Sequence, residues 1–408
     1  MRNVLTGHRS MATKADMVLL TILLCLLLTT LSSCGPSTGI FATGNWQDSG
    51  LHQHIRALAV DPNNPGTLYA ADTQGHIFYS TDAAQHWNER STGLSLPNPV
   101  HALALDIPGK KLYAATAQGL FVSTDAAQHW NSVLTPTAGL PPDSYTALAF
   151  NGNAPDIFYT ATAGHGIFIS TNGGSSWTSA SNGLPQGSAI TSLSFAPDTN
   201  QLWAATSSHI YQADSKATSW QAADTGLPAD ISINTVHPAS ESGGPHGFIY
   251  AGTNRGFYLS RDSGKHWSRG QVPLSGTSIH CMLVDFRNTQ TTAIYVGTDV
   301  GVLASDDNGQ NWRNIGSGFP KGQPVYALVL GAESYSQLFA ATDNSVYMFP
   351  GTNTGFGLTR IITIAAIIVF FYLLYRVADL SRKRRRKNKQ AEQTEQAPSE
   401  PLPPAPKD

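Results

Sequence analysis

Ser80-Thr81-Asp82-Ala83-Ala84-Gln85-His86-Trp87 decides the fold, because the phrase returns along the chain. It recurs letter for letter from Ser123 to Trp130. Variants run from Ser170-Thr171-Asn172-Gly173-Gly174 to Trp177, from Ser260-Arg261-Asp262-Ser263-Gly264 to Trp267, and from Ser305-Asp306-Asp307-Asn308-Gly309 to Trp312. A degenerate copy ends at Trp220, and Trp46 stands without one. Seven of the eight tryptophans thus recur at intervals of 41 to 47 residues. Internal repetition at this period signals a repeat architecture.

Each repeat reads as four short strands. In the second, Val100 to Leu105, Leu112 to Thr116 and Gly119 to Val122 are apolar runs bounded by turn residues, and Trp130 opens a fourth. Four strands per repeat of this length match a propeller blade. The last repeat, Val325 to Phe349, has three strands and no Trp. Its missing outer strand lies upstream, at Thr43 to Asp48 around Trp46. The expectation is an all-β fold: one seven-bladed β-propeller over residues 40–350, its ring closed by the N-terminal segment.

The repeated phrase resembles the Asp-box (BNR) pattern of sialidase-like and sortilin-like propellers, with Ala84 and Ala127 where the pattern has Gly. The ring is also similar to photosystem II assembly-factor propellers. The resemblance implies that the box residues are structural: Ser80, Asp82 and Trp87; Ser123, Asp125 and Trp130; Ser170, Asn172 and Trp177; Ser260, Asp262 and Trp267; Ser305, Asp307 and Trp312. Physical chemistry agrees, since Ser and Asp in a turn bond nearby backbone N–H groups and a Trp fills space between sheets. His86, His129 and His266 are box positions, not metal ligands, and no metal or cofactor is expected.

The two ends read as membrane segments. Val18 to Leu31 is an apolar run after Arg2, Arg9 and Lys14, a secretory signal over residues 1–34. It ends in Leu31-Ser32-Ser33-Cys34, which looks like a lipobox with Cys34 as the lipidated residue; an uncleaved anchor is the alternative. Ile361 to Tyr375 is fifteen residues without charge. Extended to 356–378, it reaches the length of a transmembrane helix. Arg382 to Lys387 follow, in a basic then polar tail over residues 379–408 that is expected to be disordered. Positive charge beyond a span marks the cytoplasmic side, so the propeller is expected outside a bacterial cell membrane. Residues 35–350 carry 12 Lys/Arg against 21 Asp/Glu, a poor match to nucleic acid.

Chemistry, if present, belongs on the face opposite the boxes, where strands two and three of each blade join. Charge there is confined to Asp72, Arg255, Asp299 and Asp343, a candidate binding rim. No residue is assigned as catalytic. Cys281, in an apolar strand, reads as a small core residue. No zinc-protease, redox-dithiol or phosphate-loop motif occurs. The arginine triad and tyrosine nucleophile of a sialidase are not recognisable. The favoured expectation is a non-catalytic, membrane-tethered module that binds proteins or assists complex assembly. The alternative is a glycan-binding or glycoside hydrolase propeller. A ligand sensor acting through its tail is a third reading.

Overall fold

The computed structural model describes residues 44–350, apart from 65, 107, 109, 240–246, 271–275, 286–292, 316 and 332–336, with isolated positions between 376 and 388. The signal segment expected over residues 1–34, with Cys34, and most of the expected span at 356–378 and tail at 379–408 lie outside the described residues. Among the described residues no helix is long and apolar enough to cross a membrane.

Seven antiparallel sheets of four strands make the domain. Blade 1 comprises Ile55–Val60, Leu68–Asp72, Ile77–Ser80 and Asn88–Glu89, from inside to outside. Blades 2 to 6 repeat this order, with inner strands starting at Val100, Tyr145, Ile190, Ile233 and Ile279. Blade 7 is built from both ends of the domain. Its inner strands are Val325–Leu330, Leu338–Thr342 and Val346–Phe349, and its outer strand is Gln47–Asp48. Gln47 pairs with Met348 and Asp48 with Tyr347. Inner strands of neighbouring blades pack side by side, including the last against the first, so the ring closes.

The core lies between blades. Ile55, Leu58 and Leu68 of blade 1 pack on Phe339 and Val346 of blade 7, and Tyr159 and Ile167 of blade 3 pack on Ile190 and Leu202 of blade 4. Burying each such side chain contributes about 1.5–3 kcal/mol. Tryptophans stitch the outer rim across the same boundaries. Trp130 Nε1 donates to the Arg90 carbonyl at 3.0 Å, Trp220 to Ala180 at 2.7 Å, Trp267 to Ala223 at 2.6 Å and Trp46 to Ile315 at 2.8 Å. Trp87 donates to Ser49 Oγ at 3.2 Å.

The repeated turn owes its regularity to two side chains. Ser80 Oγ donates to Asp82 Oδ1 at 2.9 Å and accepts the Ala84 N–H at 3.0 Å. Asp82 Oδ1 also accepts the His86 N–H at 3.0 Å. The backbone is left-handed at both central positions, with φ of 57° and 69° at Ala83 and Ala84. A non-glycine residue pays for this region, and the turn's hydrogen bonds hold it there.

Candidate functional site

The loops between strands two and three share one end of the ring with the start of each inner strand, since Ile55 pairs with Asp72 at the hairpin mouth. At that end every inner strand carries a β-bulge. Register runs from Ile55↔Asp72 to Ala57↔Ala71 and leaves Arg56 unpaired. The equivalent residues are His101, Thr146, Thr191, Asn234, His280 and Tyr326. A bulge re-aims a side chain that the ladder would otherwise fix.

Three of these seven side chains donate to a backbone carbonyl of the next blade's inner strand. Thr146 Oγ1 donates to the Ile190 carbonyl at 2.7 Å, Thr191 Oγ1 to Ile233 at 3.2 Å and Asn234 Nδ2 to Ile279 at 2.8 Å. Arg56, His101, Thr191, Asn234, His280 and Tyr326 line a depression of about 400 Å³. This is the mouth of the central channel.

Blades 6, 7 and 1 place a charged arc in that mouth. His280 Nε2 lies 2.6 Å from Asp299 Oδ1. The His280 ring lies 5.2 Å from that of Tyr326. Tyr326 donates its hydroxyl to Asp343 Oδ2 at 3.0 Å. Arg56 Nη2 is 3.0 Å from Asp343 Oδ1, with the guanidinium 3.4 Å above the Tyr326 ring. Arg56 Nη1 is buried with no hydrogen-bond partner.

Local sequence explains why Asp343 faces the mouth. In blade 5, Asn254 follows the hairpin Thr253 and accepts the Ser232 N–H at 2.8 Å. In blade 6, Asp299 does the same to Ser278 at 3.1 Å. The corresponding residue in blade 7 is Pro324, which has no N–H to give. Asp343 turns to Arg56 and Tyr326 instead.

Of the four candidate rim residues, the structure brings Asp299 and Asp343 into one arc and leaves the other two outside it. Asp72 is 2% exposed. Its Oδ1 accepts the N–H groups of Gln74 and His76 at 2.9 and 2.8 Å, and its Oδ2 meets His76 Nδ1 at 2.8 Å. It stands where the other blades have Thr116, Thr162, Thr206, Thr253, Thr298 and Thr342, whose hydroxyls close the same hairpin. Arg255 is exposed and paired with Asp230. Cys281 packs partly buried against the blade 6–7 core.

Sequence reasoning missed Arg56, His101, His280 and Tyr326. Aligning the repeats on the second residue of each inner strand would have found them, because a polar or aromatic residue follows an apolar or aromatic one there in each copy. Among the described residues, no group of three or more His, Cys, Asp or Glu is placed to hold a metal ion.

Fold and site together define a seven-bladed β-propeller with a polar channel mouth built from bulges. The fold is similar to that of YCF48 from Cyanidioschyzon merolae, with a TM-score of 0.56 at 16% identity, covering 75% of this chain and 98% of that one. YCF48 bound to D1 peptide matches with a TM-score of 0.57 at 15% identity, covering 77% and 97%. An ancestral GH74 enzyme matches at 0.61 and 19% identity, covering 77% of this chain and 47% of that chain. The extracellular domain of the putative one component system BT4673 from B. thetaiotaomicron matches at 0.58 and 15%, covering 75% and 40%. This chain therefore spans less than half of the last two. At these identities the likeness is one of fold. No family model matches the chain, and no curated protein matches its sequence.

Proposed function

We propose that this chain is a non-catalytic propeller whose loop face binds a protein segment at the channel mouth. The observation that carries this reading is the character of that face. Its charged groups are already committed to one another, Asp343 to Arg56 and Tyr326 and Asp299 to His280. Exposed aliphatic side chains stand on the same face, Leu96 at 44% and Val300 at 49% exposure. Polar groups fixed in position beside apolar contact points suit a peptide. YCF48, which is similar in fold, has been solved bound to D1 peptide, and that supports this reading. In this reading residues 356–378 tether the propeller to a bacterial cell membrane, with the propeller outside and residues 379–408 in the cytoplasm. Lipid on Cys34 would add a second tether.

A photo-crosslinking residue placed at Val300, with a control at Gln128 on the opposite face, tests the reading in full-length protein in native membranes. The expected result is one crosslinked protein from position 300, lost when Arg56→Ala and Tyr326→Ala are added. Equal crosslinking from both positions, or cleavage of a polysaccharide by the full-length chain, would overturn it. Incorporation of labelled fatty acid that disappears in Cys34→Ser checks the second tether.

A further inference from the structure

A second polar groove, of about 300 Å³, lies on the flank of the ring between blades 5 and 6. Leu259, Arg261, Ser268 and Arg269 line it from blade 5, and Gln310 and Asn311 from blade 6. It is unrelated to the channel mouth.

Two features mark it out within a repeated structure. The second box position, Arg261, is Thr81, Thr124 and Thr171 in blades 1 to 3. The outer-strand residue Arg269, which pairs with Tyr258, corresponds to Ser132, Ser179 and Ala222 in blades 2 to 4. In blade 6 the box position is an acid, Asp306, and its carboxylate meets Arg313 at 2.7 Å. In blade 5 both changes are to arginine, and neither has a carboxylate partner among the described residues. Residues 253–270 hold Arg255, Arg261, Lys265 and Arg269 against Asp262 alone, in a domain that is acidic as a whole.

The described carboxylates nearby are engaged elsewhere. Asp262 is turned into its own box, on Ser260 and His266 at 2.9 and 2.7 Å. Asp307 accepts from Gln310 and Asn311 in the same way. The other polar groups of the groove are engaged as well: Ser268 Oγ donates to the Leu259 carbonyl, and the Gly270 N–H to Phe257. Of the Arg269 nitrogens, Nη2 donates to the Arg255 carbonyl at 3.1 Å. Arg261 lies 5.8 Å from the Phe248 ring. Two guanidinium groups with donors to spare therefore face one polar trough with no aromatic floor for a sugar ring to stack on.

We propose that this groove binds a phosphate group. One bidentate arginine satisfies a carboxylate, whereas two guanidiniums with no carboxylate partner among the described residues suit an oxyanion of higher charge with more than two acceptor oxygens. The phosphate is free or carried as an ester, as on a lipid headgroup, and both present the same oxygens.

Isothermal titration of the full-length protein in detergent with inorganic phosphate, glycerol 3-phosphate and a glutamate-rich peptide tests this. The variant is Arg261→Thr with Arg269→Ser, residues that other blades already accept at these positions. Lys321→Ser removes one surface cation elsewhere as a control. Saturable phosphate binding, weakened at least about tenfold in the double variant and unchanged in the control, is the expected result. Tighter binding of glycerol 3-phosphate would support an ester as the ligand, and tighter binding of inorganic phosphate a free ion. No saturable binding of either, equal binding by the folded double variant, or preference for the glutamate peptide would overturn the proposal.

Discussion

The two ends of the ring follow opposite rules. On the box end, the serine hydroxyl accepts a backbone N–H four residues on at 3.0, 2.9, 2.9, 2.9 and 2.9 Å in five blades. On the loop end, the bulge position is Arg, His, Thr, Thr, Asn, His and Tyr around the ring. A position that closes a turn takes the residue that closes it, in copy after copy. A position released from the ladder by a bulge has no such duty, and its side chain is free to differ. In a repeat fold the scaffold is therefore read in the columns that agree, and the site in a column that varies on a constant backbone.

Deleting Gly44–Leu51 should have the largest effect. It removes the outer strand of blade 7 with the Trp46 contacts, and thermal unfolding followed by circular dichroism should show an early, broadened transition. An unchanged melting curve would mean that the ring does not depend on its closing strand.

Next in size is the box. A Cβ at Gly264 would meet the Trp203 ring at 2.6 Å. Gly264→Ala should cost about 1–3 kcal/mol in denaturant unfolding. The Ala at the same place in blades 1 and 2 shows that the left-handed backbone alone does not forbid it.

A smaller effect concerns pairs on the inner strands. Ala57 faces Ala71 and Ala102 faces Ala115, but Thr235 faces Gly252 and Cys281 faces Gly297. In blades 5 and 6 the larger side chain faces a glycine. A Cβ at Gly297 would lie 2.4 Å from Cys281 Sγ and 2.7 Å from the Val325 carbonyl. Gly297→Ala should destabilise, and adding Cys281→Ala should recover part of the loss. Strict additivity in that double-mutant cycle would refute the coupling.

Acid should loosen the box end. Hydrogen bonds from the His266 side chain and backbone hold the Asp262 carboxyl down at about 2, and bonds from the His129 backbone and side chain do the same for Asp125. The stabilisation is fully present above the ordinary carboxylate range, near 4, and is lost as pH falls through about 2. Melting temperature measured against pH should fall across that window, and less steeply in Asp262→Asn.

Smallest in stability is Arg56→Ala, at about 1 kcal/mol or less, because its ion pair with Asp343 is part-exposed. Urea unfolding of that variant measures it, and a larger loss would make Arg56 part of the scaffold.

Much of this was legible in the sequence. The Trp interval and the box phrase determine the blade count, and the orphan Asn45-Trp46-Gln47 points to the closing strand. The mouth was not, for a reason that lies in the backbone. Alternation assigns Arg56 to one face of a regular strand, and only the bulge at Ile55/Ala57 re-aims it. Asp72 misled in the other direction. As a charged residue in a loop it reads as exposed, yet it does the hairpin-closing work of a threonine. Asp343 depends on the missing N–H of Pro324, nineteen residues earlier, a relation visible only once the two are side by side.

The central claim is that the loop end binds while the box end holds the fold. Its most direct measurement is on two full-length variants, Arg56→Ala/Tyr326→Ala and Ser260→Ala, each assayed for melting temperature and for crosslinking from position 300. The mouth variant should melt close to the parent and lose its crosslink; the box variant should melt early and, below its transition, keep it. A mouth variant that retains the crosslink, or a folded box variant that loses it, would contradict the division of labour.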